Sequence, residues 1–396
     1  MRLKNGSTVD SVHAAPKIDK NPFTDKNPEM TNRERQLLQL LQANPLISQQ
    51  ELAEALGISR SAVATHLTNL TAKGAIKGRG YILNEQRYSV VIGGANMDIL
   101  GTPGETLTPG SSTPGTVSYS PGGVGRNIAE NLARLGEDCY LIAPVGDDHS
   151  GRQLTELSSQ AGIDTSQMVT IPGSATSSYL SLVDEHGEMQ QAIADMAILD
   201  AFGPDYLRKH LALLARAELL VLDTNLKNST LECLIDQLPE QRFFVDCVSS
   251  SKAPKIRPFL SRIHTLKPNL VEAEAISGMH VTPEDLSDET LKALAGWFHK
   301  EGVERLFISL GSDGLYYSHR NGESCHHRLS CSTVVNSNGA GDALMAALCH
   351  SWLQQMSAEH TCRFALAAAN LALASQTTIN PEMSRLNVAQ LLSESM

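Results

Sequence analysis

The chain has 396 residues, 41% hydrophobic and 19% charged, with 32 basic against 43 acidic side chains and a formal net charge of −11 at pH 7. That length exceeds one small module and suits a large α/β domain of ~250–300 residues joined to something smaller. It contains neither a run of ~18 uninterrupted apolar residues nor a signal-peptide core, so the expectation is a cytoplasmic protein with no membrane partner and scattered, reduced cysteines.

The charge is unevenly placed. Residues 31–83 carry six Lys/Arg against three Asp/Glu, whereas residues 84–396 carry 21 against 36. Residues 1–30 are polar, contain three prolines and lack a hydrophobic period, which predicts a disordered tail.

From residue 31 the pattern turns helical. Thr31 with Glu34 forms a capping box ahead of Leu37, Leu38, Leu40 and Leu41, and the helix ends before Pro45. Ser48 with Glu51 repeats the box over Leu52, Ala53 and Leu56, and Gly57 sits at the C-cap. Ser59 caps a third helix with Ala62, Val63, Leu67 and Leu70 inward, and Ile76 to Leu83 reads as a hairpin wing. The turn Gly57-Ile58-Ser59 has helix-turn-helix spacing.

Over residues 31–84 the segment resembles the winged helix-turn-helix modules of bacterial transcription regulators, an all-α unit with a small wing. The outward face of its third helix carries Arg60, Ser61, Thr65 and His66, with Lys77 and Arg79 on the wing. These groups can reach bases and phosphates from a major groove. DNA is therefore an expected partner, and one module of this size implies a homodimer reading two half-sites.

From Tyr88 short apolar runs alternate with helical stretches. Expected strands are 88–92, 139–143, 219–222, 243–246 and 306–310, with helices at 127–135 and 207–217 between them, a mostly parallel sheet covered on both faces. Tyr179 to Val183 and Met189 to Ile193 flank a turn and predict a hairpin lid.

Three loops carry chemistry. Asn96 and Asp98 follow the first strand, where ligands of open α/β sheets sit, and a carboxylate suits a vicinal diol. Gly122, Gly123 and Asn127 open an amphipathic helix; GxGxxG and GKS/T are both absent, so neither a dinucleotide fingerprint nor a lysine cradle is indicated. Gly339, Ala340 and Gly341 place backbone N–H groups at a helix start, an anion hole, with Asp342 able to take the proton of an attacking hydroxyl.

Gly122-Gly123 to Gly136 together with Gly339 to Asp342 are similar to the two signatures of the ribokinase (phosphofructokinase-B type) family of carbohydrate kinases, over roughly residues 88–390. Ser177 to Leu182, Gly187-Glu188-Met189, His264 to Asn269 and Ile379-Asn380-Pro381 resemble its pseudouridine kinase subgroup. The resemblance implies a three-layer αβα domain over 87–396 with a small β lid, and an ATP- and Mg²⁺-dependent phosphotransferase acting on the 5′-hydroxyl of a nucleoside.

It also implies site roles. Asp342 is the catalytic base, and Gly339, Ala340 and Gly341 stabilise phosphoryl charge. Asn96, Asp98, Gly122, Gly123 and Asn127 hold sugar hydroxyls, with Asp195 and Asn225 as further substrate contacts. Asn269 and Glu272 match the motif that organises Mg²⁺ and phosphates, and Ser309, Gly311, Gly314 and Asn370 lie beside the nucleotide. Two positions depart from the pattern: Asn336 stands where the family has an Asp serving K⁺, which leaves K⁺ open as a cofactor, and Ala194 replaces a base-contacting Asn. Alternatives are a ribose-like sugar kinase, or a regulator whose kinase-like domain senses a nucleoside or sugar.

Overall fold

The computed structural model describes residues 30–77, 87–108, 110–281, 286–328 and 334–394. The tail expected over 1–30, apart from Met30, and the wing expected over 76–83, apart from Ile76 and Lys77, lie outside the described residues, as does Arg79. The chain divides into two compact units, one running to Thr71 and including residues 76 and 77, the other holding residues 72–75 and the chain from Arg87 onward.

The first unit contains α1 (Asn32–Ala43), α2 (Gln49–Leu56) and α3 (Arg60–Ala72). Each start is set by the side chain expected to set it. Thr31 accepts from the Glu34 amide while the Glu34 carboxylate accepts from that of Thr31, and Ser48 with Glu51 does the same. Ser59 Oγ accepts from the Ala62 amide at 3.1 Å. A cap of this kind contributes about 1 kcal/mol. Leu37, Leu41, Leu52, Val63 and Leu70 are fully buried between the helices.

The second unit opens with β1 (Ser89–Ile92), β2 (Asn96–Pro103), β3 (Gly115–Gly122), α4 (Val124–Arg134), β4 (Cys139–Ile142), β5 (Pro144–Gly146), α5 (His149–Gln160), β6 (Val169–Ile171), β7 (Ser178–Val183) and β8 (Met189–Asp195). Three short helices follow, α6 (Ile198–Ala201), α7 (Pro204–Arg208) and α8 (Leu211–Leu214), then β9 (Leu219–Asp223), α9 (Asn228–Gln237), β10 (Phe243–Asp246), β11 (Ile263–Lys267) and α10 (Leu270–Ser277). The chain ends through α11 (Asp288–Lys300), β12 (Arg305–Ser309), β13 (Leu315–His319), β14 (Ser324–His327), α12 (Ala340–Leu353), α13 (Ala358–Leu373) and α14 (Arg385–Glu394).

Among the described residues the main sheet runs β14-β13-β12-β11-β10-β9-β1-β4, parallel from β12 to β4 and antiparallel at the β14 edge. Its strands are apolar on both sides because both faces are covered. Val90 and Ile92 point into one core with α7, α9, α10 and α11, while Val91 points into the other with α4, α12, α13 and α14.

Two expectations need correction. The helix expected over 207–217 is two short ones, α7 and α8, because the chain turns at Lys209-His210 and thereby buries Leu207, Leu213 and Leu214 together. The expected hairpin is present as antiparallel β7 and β8, and it is half of a four-stranded sheet in the order β3-β2-β7-β8. β2 and β3 supply the other half, and Asn96, expected in a loop, begins β2.

Candidate active site

Three adjacent buried strands end in a charged residue: β9 in Asp223, β10 in Asp246 and β11 in Lys267. The register aligns them, with Asp246 beside Asp223 on one side and Lys267 on the other. All three are at least nine-tenths buried. Carboxyl ends of strands in an open α/β sheet are where ligands bind.

Each member of the row holds a loop. The Asp223 carboxylate accepts from the amides of Gly94 at 2.8 Å and Gly125 at 3.0 Å, so one side chain joins the two glycine-rich loops that follow β1 and β3. Burial raises the Asp223 pKa, an effect that the Gly94 amide and the hydrogen bonds with Asn225 offset in part. Lys267 Nζ lies 2.6 Å from Asp246 Oδ2 and donates to the Gly341 carbonyl at 3.3 Å. Burial alone would depress the Lys267 ammonium, but Asp246, Glu272 and Asp342 together hold it above the usual lysine range.

Gly341 belongs to the first turn of α12, whose N–H groups have no partner within the helix. Gly339 caps that helix at φ 81°, and a Cβ there would stand 2.1 Å from the Thr378 carbonyl, so only glycine fits. Asp342 is 8% exposed and accepts from Asn127 Nδ2 at 2.9 Å, which ties the helix start to the loop that opens α4. Burial, and then the nearby Asp246 charge, push the Asp342 pKa up to about 8, against the lowering effects of Asn127 and Lys267. A base must both take and return a proton, and a value near the working pH favours both.

The residues expected to hold the sugar gather around β2. Asn96 Nδ2 donates to Asp98 Oδ1 at 2.6 Å, and Gly122 lies flush against the same carboxylate, since a Cβ there would meet Asp98 Oδ2 at 2.2 Å. Burial raises the Asp98 pKa, with Asn96 and Arg126 opposing. Gly123 caps α4. Arg126, next to Asn127, is fully buried in an ion pair with Glu130. Asn225 accepts from Lys252 Nζ at 2.6 Å beside Gly94. Asp195 stands apart: it pairs with Ser178, so strand alternation puts its neighbour Ala194 on the face of Asp98, and it accepts from the Ala197 amide at the strand end.

Among the residues expected beside the nucleotide, Asn269 and Glu272 form a capping box on α10, each accepting the other's amide at 2.8 Å. Burial raises the Glu272 pKa. The Ser309 amide donates to the Pro268 carbonyl at 3.0 Å, which brings Ser309 beside Asn269. Gly311 and Gly314 shape the turn from β12 to β13. Asn370 lies on α13, whose end receives the amides of Val335 and Asn336 at the Leu373 carbonyl, close to the loop entering α12. Asp223, Asp246 and Lys267 are the members missed in the sequence; the available signal was a lone charge ending the apolar runs of β9 and β10, while β11, with His264 and Thr265 inside it, offers no such run.

In the first unit Arg60, Ser61, Thr65 and Lys77 are exposed, whereas His66 is half-buried.

A buried acid at the N-terminus of a long helix, joined to a glycine-rich loop beside a second carboxylate, suits a phosphotransferase with an alcohol acceptor. Residues 86–385 match the model of the pfkB family of carbohydrate kinases, and the chain belongs to that family. Residues 30–77 match a winged helix-turn-helix DNA-binding family. The chain is 41% identical to Escherichia coli K12 pseudouridine kinase over 78% of its length and 98% of that protein. It is equally 41% identical to the uncharacterized sugar kinase YeiI of the same organism, over 92% of its length and 99% of that protein. A carbohydrate kinase from Agrobacterium tumefaciens superposes with a TM-score of 0.69 at 27% identity, covering 78% of this chain and 97% of that one.

Proposed function

We propose that this kinase transfers the γ-phosphoryl group of ATP to the 5′-hydroxyl of a nucleoside, pseudouridine by preference, and that its N-terminal unit binds DNA. The observation that carries the first part is Asp342, buried at the start of α12 and bonded to Asn127. In this reading Asp342 accepts the hydroxyl proton, Asp98 and Asn127 hold the sugar, and the first-turn amides of α12 receive the phosphoryl charge. Asn269, Ser309, Gly311, Gly314 and Asn370 border the nucleotide.

Mg²⁺ fits the donor set. Glu272 and Asp246 are buried carboxylates near Lys267, and oxygen ligands reached through water suit an ion that sheds its hydration reluctantly. When bound, it neutralises phosphate charge. At the position where the family places its K⁺-serving Asp, the Asn336 amide donates to the Gln376 carbonyl and accepts from the Asn338 amide, which favours a rate indifferent to K⁺.

The likeness to pseudouridine kinase supports the nucleoside, and the equal identity to YeiI supports a sugar as the second reading. Mg·ATP turnover against pseudouridine, uridine, other nucleosides and free pentoses separates them. A preference for pseudouridine over uridine is the expected result; turnover on pentoses alone would move the assignment to a sugar kinase, and no turnover would favour a sensor.

For the N-terminal unit, exposed Arg60, Ser61, Thr65 and Lys77 predict DNA binding that weakens steeply with salt. A homodimer belongs to the same reading. Ile99, Tyr119, Leu180 and Ile193 line up across one face of the lid sheet, and the last three are 61%, 44% and 66% exposed. A second copy would cover that face. Sedimentation of the wild type against Ile193→Lys tests it, with a monomeric wild type as the refuting outcome.

A further inference from the structure

A second cavity lies at the end of the main sheet opposite the candidate active site. A cavity of about 510 Å³ opens at the amino ends of the parallel strands, lined by Arg87 ahead of β1, Arg242 ahead of β10, Arg305 at the start of β12, and by Tyr317 and Trp352. Three arginines thus line one cavity, two of them over the Trp352 ring, in a part of the chain whose formal charge is strongly negative.

Their partners are unequal. Arg87 has Glu218 at 3.8 Å. Arg242 and Arg305 have no carboxylate within 4 Å among the described residues; Glu323, also on the wall, pairs with neither. Arg305 is 6% exposed, boxed by the rings of Phe307, Tyr317 and Trp352 at 5.1, 5.7 and 5.2 Å, and its Nη1 is buried without a hydrogen-bond partner. Arg242 lies over the Trp352 ring at 5.7 Å. A buried guanidinium with an unused N–H is costly unless a counter-charge is supplied. Aromatic faces and the Tyr317 side chain, which hydrogen-bonds Arg305, offset part of that cost and fix the fork's orientation, but they supply no counter-charge.

We propose that this cavity binds a phosphate-bearing ligand. Arginine forks match the tetrahedral dianion, and the volume exceeds that of a bare phosphate and falls in the range of small-molecule sites, ~300–1,000 Å³. A phosphomonoester fits, and the product of a sugar or nucleoside kinase belongs to that class. The binding rests on the cavity alone and holds whichever alcohol the enzyme phosphorylates.

Trp352 supplies the readout, because the chain has two tryptophans and Trp297→Phe leaves it as sole reporter. The full-length Trp297→Phe protein is titrated with inorganic phosphate, ribose 5-phosphate and ribose, with fluorescence excited at 295 nm. The expected result is a saturable change with one or both phosphates and none with ribose. Tighter binding of ribose 5-phosphate would identify a phosphomonoester as the occupant, and equal binding would identify free phosphate. Arg242→Gln, at an exposed position, should weaken half-saturation about tenfold or more, with kcat and KM for Mg·ATP turnover unchanged. The proposal is overturned if neither phosphate gives a saturable change, if ribose alone reproduces it, or if Arg242→Gln leaves half-saturation where it was.

Discussion

Asp342 carries a cost that can be measured separately from its chemistry. Its folded-state pKa of about 8 stands above the ordinary aspartate value of 3.8. The folded protein therefore binds more protons than the unfolded chain between those values, and stability falls as pH rises through that window. Each tenfold in proton affinity is worth ~1.4 kcal/mol, so the full gap sets an upper figure of roughly 5–6 kcal/mol. Part of that gap belongs to repulsion from Asp246, and relaxation reduces it further, so about 2–4 kcal/mol at pH 8 is the working expectation.

Asp342→Asn removes the charge while its amide oxygen can still accept from Asn127. The variant should therefore be more stable than wild type at pH 8, equal to it near pH 4, and slower in turnover by about 10²–10⁴-fold. Denaturant unfolding of both proteins from pH 4 to 8.5, with kcat from coupled assays, reads all three quantities. A stability difference that does not depend on pH, or near-normal turnover, would refute the reasoning.

The neighbouring ion pair should act on the pH profile with opposite signs. Lys267→Met removes a cation that favours ionised Asp342, so the acid limb of kcat moves to higher pH; Asp246→Asn removes a repelling charge, so the limb moves lower. Both variants should lose stability, by about 3–5 kcal/mol for Lys267→Met, since a buried carboxylate is left unpaired. Parallel movement of the two limbs would contradict this account. Gly122→Ala would press a methyl group onto the Asp98 carboxylate, and KM for the acceptor should rise with little change in KM for ATP, read from two-substrate kinetics. Ser48→Ala and Thr31→Ala should each lower the stability of the N-terminal unit by about 1 kcal/mol, measured on its own unfolding transition.

Local signals were the legible ones. The capping boxes at Thr31 and Ser48 needed only three residues of context, and the strands ending at Ile92, Ile142, Asp223 and Asp246 were continuous apolar runs. β11 was not legible because Ile-His-Thr-Leu-Lys alternates with polar residues that are nevertheless buried, His264 against Phe244 and Trp352. β2 and β3 carry Gly, Pro, Ser and Thr, the composition of a loop, and are strands because they pair with β7 and with each other. The row Asp223, Asp246 and Lys267 depends on the register of three strands separated by helices, which no local window contains. Asn269 and Glu272 were read as ligand-organising residues, and the contact the structure displays is the cap on α10.

The bond from Asn127 to Asp342 spans 215 residues of chain. Loop closure over such a distance comes late, and a protein made from its N-terminus cannot form this contact until α12 has been synthesised. The three helices of the first unit are local and complete by residue 72. During synthesis the helix-turn-helix can therefore fold while Asp342 does not yet exist, so chains arrested before residue 342 would retain the helix-turn-helix unit without the bond that joins the two glycine-rich loops of the second.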